Sequence, residues 1–178
     1  MKAKRVAKDT YLTLDTAMVR PVFNEFSIQA EVVTLSGTST IFATDCFTLV
    51  RNTCEFCGNT IGKAIKDSHE LVGQYHKVPI VIENIKGEPF VLIPLMSPRS
   101  PLNTWISLHA IEMHKKSTVA AGFTDIHFIN GKVITVNASF STLNRQLVLA
   151  NAIRSGFLKR LESREQFFTH PVQLTTPK

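Results

Sequence analysis

The spacing of apolar positions changes twice along the chain, and the changes mark out its elements. From Thr10 to Ala43, Thr, Val, Ile and Phe are frequent, which predicts strands broken at Pro21 and at Ser36-Gly37. At Asp45 the period lengthens. Val50, Cys54, Cys57, Ile61 and Ala64/Ile65 then recur three or four residues apart, the stripe of an amphipathic helix. The pattern predicts a helix near 46–66, with Thr44 or Asp45 as its cap. Gly58 and Gly62 each cost up to about 1 kcal/mol relative to alanine in a helix interior, so a break or end of the helix is expected near Gly58. Residues 78–96 predict two strands joined at Lys86-Gly87, and residues 104–114 one more strand, with Trp105 buried at its start. Asp125–Ala138 predicts a hairpin around Asn130-Gly131, a dipeptide that tolerates the positive φ of a type I′ turn. Beyond a cap at Ser141, Leu143, Leu147, Ala150, Phe157 and Leu161 fall near one face of a long helix near 142–163, with Gly156 as a weak point. Strands, helix, strands, helix in that order predict an α+β fold built mainly on antiparallel sheet. Residues 1–165 are expected to form one domain, and residues 166–178, with Pro171 and Pro177, a flexible tail.

Composition narrows the class. The 178 residues, 44% of them hydrophobic, suffice for an ordered core. Twenty Lys and Arg against fourteen Asp and Glu leave a net charge of +6, which favours a polyanionic partner. The basic Met1–Lys8 segment is not followed by an apolar run, and no stretch approaches the roughly 18 apolar residues of a membrane span. A cytoplasmic protein is expected, and the three cysteines, odd in number and too few for a disulfide framework, agree with a reducing compartment.

Candidate chemistry is sparse. Cys54-Glu55-Phe56-Cys57 invites a zinc reading, but zinc needs four ligands and two cysteines supply half. His69 and His76 would complete the set at a spacing of seven, wider than the usual pair. Because both cysteines lie on the helical stripe, a core role is favoured and no metal or cofactor is expected. There is no G-x-S-x-G, H-E-x-x-H, P-loop or G-x-G-x-x-G. His109, Glu112 and His114 share one predicted strand, where alternation would put His109 on one face and the other two opposite. No enzyme is expected. What stands out is Ser97-Pro98-Arg99-Ser100-Pro101, a proline-bounded loop with one cation and no acid.

Several blocks, in order, resemble the ComK family of competence transcription factors. They are Asn52-Thr53-Cys54-Glu55-Phe56-Cys57-Gly58-Asn59-Thr60, His76-Lys77-Val78-Pro79-Ile80, Phe90–Ser97, Asn103-Thr104-Trp105-Ile106-Ser107-Leu108-His109, Phe128-Ile129-Asn130-Gly131-Lys132, and Ser139-Phe140-Ser141. Together they span roughly residues 45–160. The resemblance implies an activator of DNA-uptake genes that binds A/T-rich boxes of double-stranded DNA through the minor groove as an oligomer. On that reading Arg99 is the groove contact, and Lys63, Lys66, Lys77 and Arg51 contact phosphates, with Asn59 beside them. The resemblance also implies that the chain stops within the region the family uses for assembly and proteolytic control. It further implies an adaptor of the Clp protease as partner, through Phe167, Phe168 and Pro171. The alternative is a regulator of the same family that acts through protein contacts without binding DNA itself.

Overall fold

The computed structural model describes residues 10–85 and 88–169. Strands β1 (Thr16–Phe23), β2 (Ile28–Thr34) and β3 (Ser39–Phe42) come first, followed by helices α1 (Cys46–Phe56) and α2 (Ile61–Val72). Strands β4 (Ile80–Ile85), β5 (Glu88–Pro94) and β6 (Trp105–Ser107) lead through a 3-10 turn, Leu108–Ala110, into β7 (Ile111–Lys116). The chain closes with β8 (Thr124–Phe128), β9 (Val133–Val136) and helix α3 (Phe140–Thr169). Six strands form one antiparallel sheet in the order β3-β2-β1-β6-β5-β4, and β7-β8-β9 form a second. The fold is α+β, as the period changes predict.

Strand alternation sends the large sheet's apolar residues to both faces. Val19, Ala30, Val32, Ile80, Ile82, Phe90, Leu92 and Trp105 pack under Leu49, Val50 and Cys54 of α1 and Ile61 and Ala64 of α2. On the other face Met18, Val33 and Ile106 meet Ile126, Phe128 and Leu143, while Val91 and Ile93 meet Ala150 and Ile153. Trp105 is fully buried at the centre of the sheet, as expected.

The structure departs from the sequence reading at several joints. Pro21 does not break β1; it pairs with Ala30. It is tolerated because β1 meets β6 only at Met18 and Val19, so the far side of Pro21 asks no hydrogen bond of it. The helix predicted over 46–66 is two, parted near Gly58 as expected. Asp45 caps the first, its Oδ1 accepting from Thr48 N at 2.9 Å. Gly58, at φ +75, ends it: Asn59 N donates to Cys54 O (2.9 Å) and Gly58 N to Glu55 O (3.0 Å), the Schellman pattern. Thr60 then caps α2, which runs on to Val72.

The expected strand over 104–114 is β6 and β7, in different sheets, with the 3-10 turn between them. The hairpin at Asn130-Gly131 is present but its loop is longer than a type I′ turn. Gly131 N donates to Phe128 O (2.8 Å) and Phe128 N to Lys132 O (2.8 Å), so Ile129, Asn130 and Gly131 form a three-residue loop with Gly131 at φ +79. Ser139 caps α3 in place of Ser141, its Oγ accepting from Thr142 N at 3.2 Å. α3 is longer than predicted at both ends. Gln166–Thr169, placed in the expected tail, form its exposed last turn, whereas residues 170–178 with Pro171 lie outside the described residues, as does the Lys86-Gly87 turn. Gly156 is a close-packing position: a Cβ there would lie 2.7 Å from Leu71 Cδ2 of α2.

Candidate nucleic-acid interface

Strand register gathers three loops at one end of the large sheet. Pro94, the last residue of β5, lies opposite Trp105, the first of β6, so the connection between them turns at this end. β4 starts here too, with Ile80 opposite Leu92, which brings along the segment from Gly73 to Pro79. β1 runs toward the same end: Val19 lies opposite Trp105, and Arg20–Phe23 continue past it to the turn into β2.

The β5–β6 connection is built as two successive β-turns. Ser100 N donates to Ser97 O (2.9 Å) around Pro98-Arg99, and Asn103 N to Ser100 O (3.1 Å) around Pro101-Leu102. Proline fits the second position of each turn because its φ is already set there. Fully buried Asn103 braces the base, accepting from Met96 N at 2.8 Å, while Leu95 N reaches Thr104 O at 3.0 Å. Pro98 is buried and Arg99 exposed at the apex. Among the described residues Arg99 forms no ion pair. It lines a small groove with Ile65 and His69 of α2 and with Tyr75, His76 and Val78. His69 Nε2 donates to Tyr75 O at 3.1 Å, tying the segment to α2. Half-buried Lys77 is anchored through its carbonyl, which accepts from Gln146 Nε2 of α3 at 2.8 Å. The result is a rigid, cation-bearing rim, suited to a partner that carries anions.

The other sequence candidates divide around α2. Lys63 and Asn59 line a second groove together with Asp67, Phe157 and Arg164. Lys63 is not a free cation, because Asp67 Oδ2 lies 2.5 Å from its Nζ. Lys66 is exposed on α2. Arg51 stands apart on α1, 6.0 Å over the Phe47 ring and 3.8 Å from Glu55. Arg99 and Lys77 therefore share the sheet end, while Lys63 and Asn59 share a groove with Arg164, which the sequence could place only on a basic helix.

Cys54 is fully buried in the core, and burial pushes its thiol up to about 12. Cys57, at the helix end, is only half-buried, so the stripe placed it deeper than it sits. Among the described residues no group of three or more His, Cys, Asp or Glu is placed to hold a metal ion. His109 lies in the 3-10 turn, and Glu112 and His114 lie on β7. The single strand expected to hold them is therefore broken by the 3-10 turn, and all three line a groove of about 960 Å³ beside α3. His109 Nε2 there donates to Leu14 O at 2.8 Å, and the His114 ring stacks on Phe140.

Fold and surface together define an α+β protein with a rigid cationic rim at one end of its main sheet. The family model described as ComK protein matches residues 8–162, and the chain belongs to that family. A competence transcription factor of Bacillus subtilis (strain 168) is 25% identical over 134 residues, covering 72% of this chain and 67% of that one. No solved structure matches. Among the described residues no helix is long and apolar enough to cross a membrane.

Proposed function

We propose that the protein is a cytoplasmic regulator of competence-gene transcription that binds A/T-rich boxes of duplex DNA through the minor groove, as an oligomer. The observation that carries this reading is the Arg99 loop: an exposed guanidinium on a doubly turned, proline-stiffened loop with no acid in it. Family membership supports it, as does the name of the Bacillus relative. The minor groove of A/T tracts is narrow and strongly negative, so it draws in an arginine side chain. Readout there separates A·T from G·C and little more, which is why a symmetric pair of chains reading two boxes would sharpen selection. Lys77 serves phosphates at the sheet end that carries Arg99, and Lys66 serves them from the exposed side of α2. Lys63, Asn59 and Arg51 serve the backbone further along.

A mobility-shift titration at two salt concentrations tests this. An A/T-box duplex should bind more tightly than a G/C-rich duplex of the same length, and both affinities should fall with salt. Equal binding of the two duplexes at physiological salt would reject the reading. The groove beside α3 favours a second reading, a regulator that works by protein contacts alone, because Leu14, Met113 and Val148 are exposed along it. An adaptor of a Clp protease would find Phe167 and Phe168 exposed on the last turn of α3.

A further inference from the structure

The most exposed large apolar side chain among the described residues is Phe26, at 93%, and Phe23 beside it is 71% exposed. Phe23 ends β1, and Phe26 sits in the turn from it into β2. Water normally drives such rings inward, and a turn can usually place a polar residue at its tip. This turn is instead braced to hold an aromatic outward. Asn24 Oδ1 accepts from Phe26 N (2.9 Å), Ser27 N (2.8 Å) and Ser27 Oγ (3.1 Å), and Asn24 N donates to Ser27 O (3.1 Å).

The last two pairs of the hairpin, Val22–Gln29 and Phe23–Ile28, stand clear of any third strand. β1 loses its β6 neighbour after Val19, and β2 loses its β3 neighbour beyond Ala30. From the Pro21–Ala30 pair to the Phe23–Ile28 pair the two-stranded ribbon advances about 7 Å on its own, and the turn carries Phe26 beyond it. Arg20 and Glu31 stiffen its base as a cross-strand ion pair at 2.5 Å. The arm points past the same end of the sheet that carries Arg99 and Lys77. Glu25, also exposed at the tip, disfavours phosphate there, so a duplex seated on the rim would meet the tip through an aromatic ring and not through charge.

We propose that the β1–β2 hairpin is a minor-groove wedge: Phe26 inserts between adjacent base pairs of a duplex held by Arg99 and Lys77. Proteins that open the minor groove do so with apolar side chains driven into base steps, and the opened step then stacks on the ring. The inference rests on the DNA-binding reading above and adds to it the element that deforms the duplex.

Permanganate oxidises thymines that have lost their stacking, so it reports a wedged step directly. The full chain should make one discrete step hyper-reactive within an A/T-box duplex. Phe26→Ala should abolish that reactivity and weaken box binding by about tenfold to a hundredfold, while a shift remains at higher protein concentration. Phe26→Trp should restore the reactive step. The side chain is so exposed that the alanine variant should fold normally, which circular dichroism would check. If the unaltered protein binds the box but leaves every thymine protected, or if Phe26→Ala keeps the reactive step, the wedge is wrong and the DNA-binding reading stands. If Phe26→Ala leaves DNA binding and reactivity intact but weakens self-association in sedimentation, the tip belongs to a protein interface. If the unaltered protein prefers no A/T duplex at all, the DNA-binding reading falls and takes the wedge with it.

Discussion

Arg99 and Lys63 both look like DNA contacts in the sequence, but their surroundings assign them different effects. Arg99 has no ion-pair partner among the described residues, so its whole charge is available to a ligand. In a narrow A/T groove its removal should cost about 1–3 kcal/mol. A G/C groove is wider and carries the guanine amino group, so there the loss should be much smaller. Arg99→Ala should therefore shrink the A/T preference by roughly 5- to 100-fold. Lys63 starts from a pair with Asp67, worth about 0.3–0.5 kcal/mol as an exposed i,i+4 contact. Moving to phosphate gives up that pair and leaves Asp67 near the backbone. Lys63→Ala should weaken all duplexes alike and lower the salt slope by about 0.9 if the contact is made. Asp67→Asn should have the opposite sign, tightening every duplex. Fluorescence anisotropy with A/T and G/C duplexes over a salt series reads all three variants. Equal weakening of both duplexes by Arg99→Ala would make Arg99 a phosphate contact; no weakening of either would move the interface off the loop.

Four further outcomes test the fold. Trp105→Ala should cost about 3–5 kcal/mol, since a fully buried indole leaves a cavity that the sheet cannot close, and urea unfolding followed by circular dichroism would show it. Gly156→Val should destabilise by about 1–3 kcal/mol through its clash with Leu71, whereas Gly156→Ala should cost less because alanine regains about 1 kcal/mol of helix propensity; equal melting temperatures for Gly156→Val and the native chain would refute the close contact. Burial pushes the Cys46 and Cys54 thiols up to about 12, so a thiol reagent at neutral pH should label Cys57 in the native protein and all three cysteines only after denaturation. The Arg20 hydrogen bond, reinforced by Ser39, holds the Glu31 carboxyl below its ordinary 4.5 despite opposing burial. Its stabilisation is thus complete above that value and lost as pH falls through the lower folded value, and Glu31→Gln should flatten that acid limb in a melting series.

Local signals carried much of the fold because they depend on neighbours in sequence. Period changes at Asp45 and after Ala138, the cap at Asp45 and the αL glycines at 58 and 131 all act within a few residues. So did the ordered blocks that resemble the ComK family, and the burial of Trp105 in an apolar run. Other features depend on which strands become neighbours, which no local pattern encodes. Pro21 reads as a break until β1 is seen to meet β6 at only two residues. The single expected strand over 104–114 hides a change of sheet, because Leu108–Ala110 is apolar enough to pass for strand and only packing against two different layers turns it. Gly156 reads as a flaw in a helix until Leu71 arrives against it. The candidate interface divides the same way. Charge and proline spacing marked Arg99, but its place at the same sheet end as Lys77 and the β1–β2 turn is a product of register in a six-stranded sheet. Residues more than fifty positions apart come together there because strand pairing, a long-range contact, sets which loops share an end.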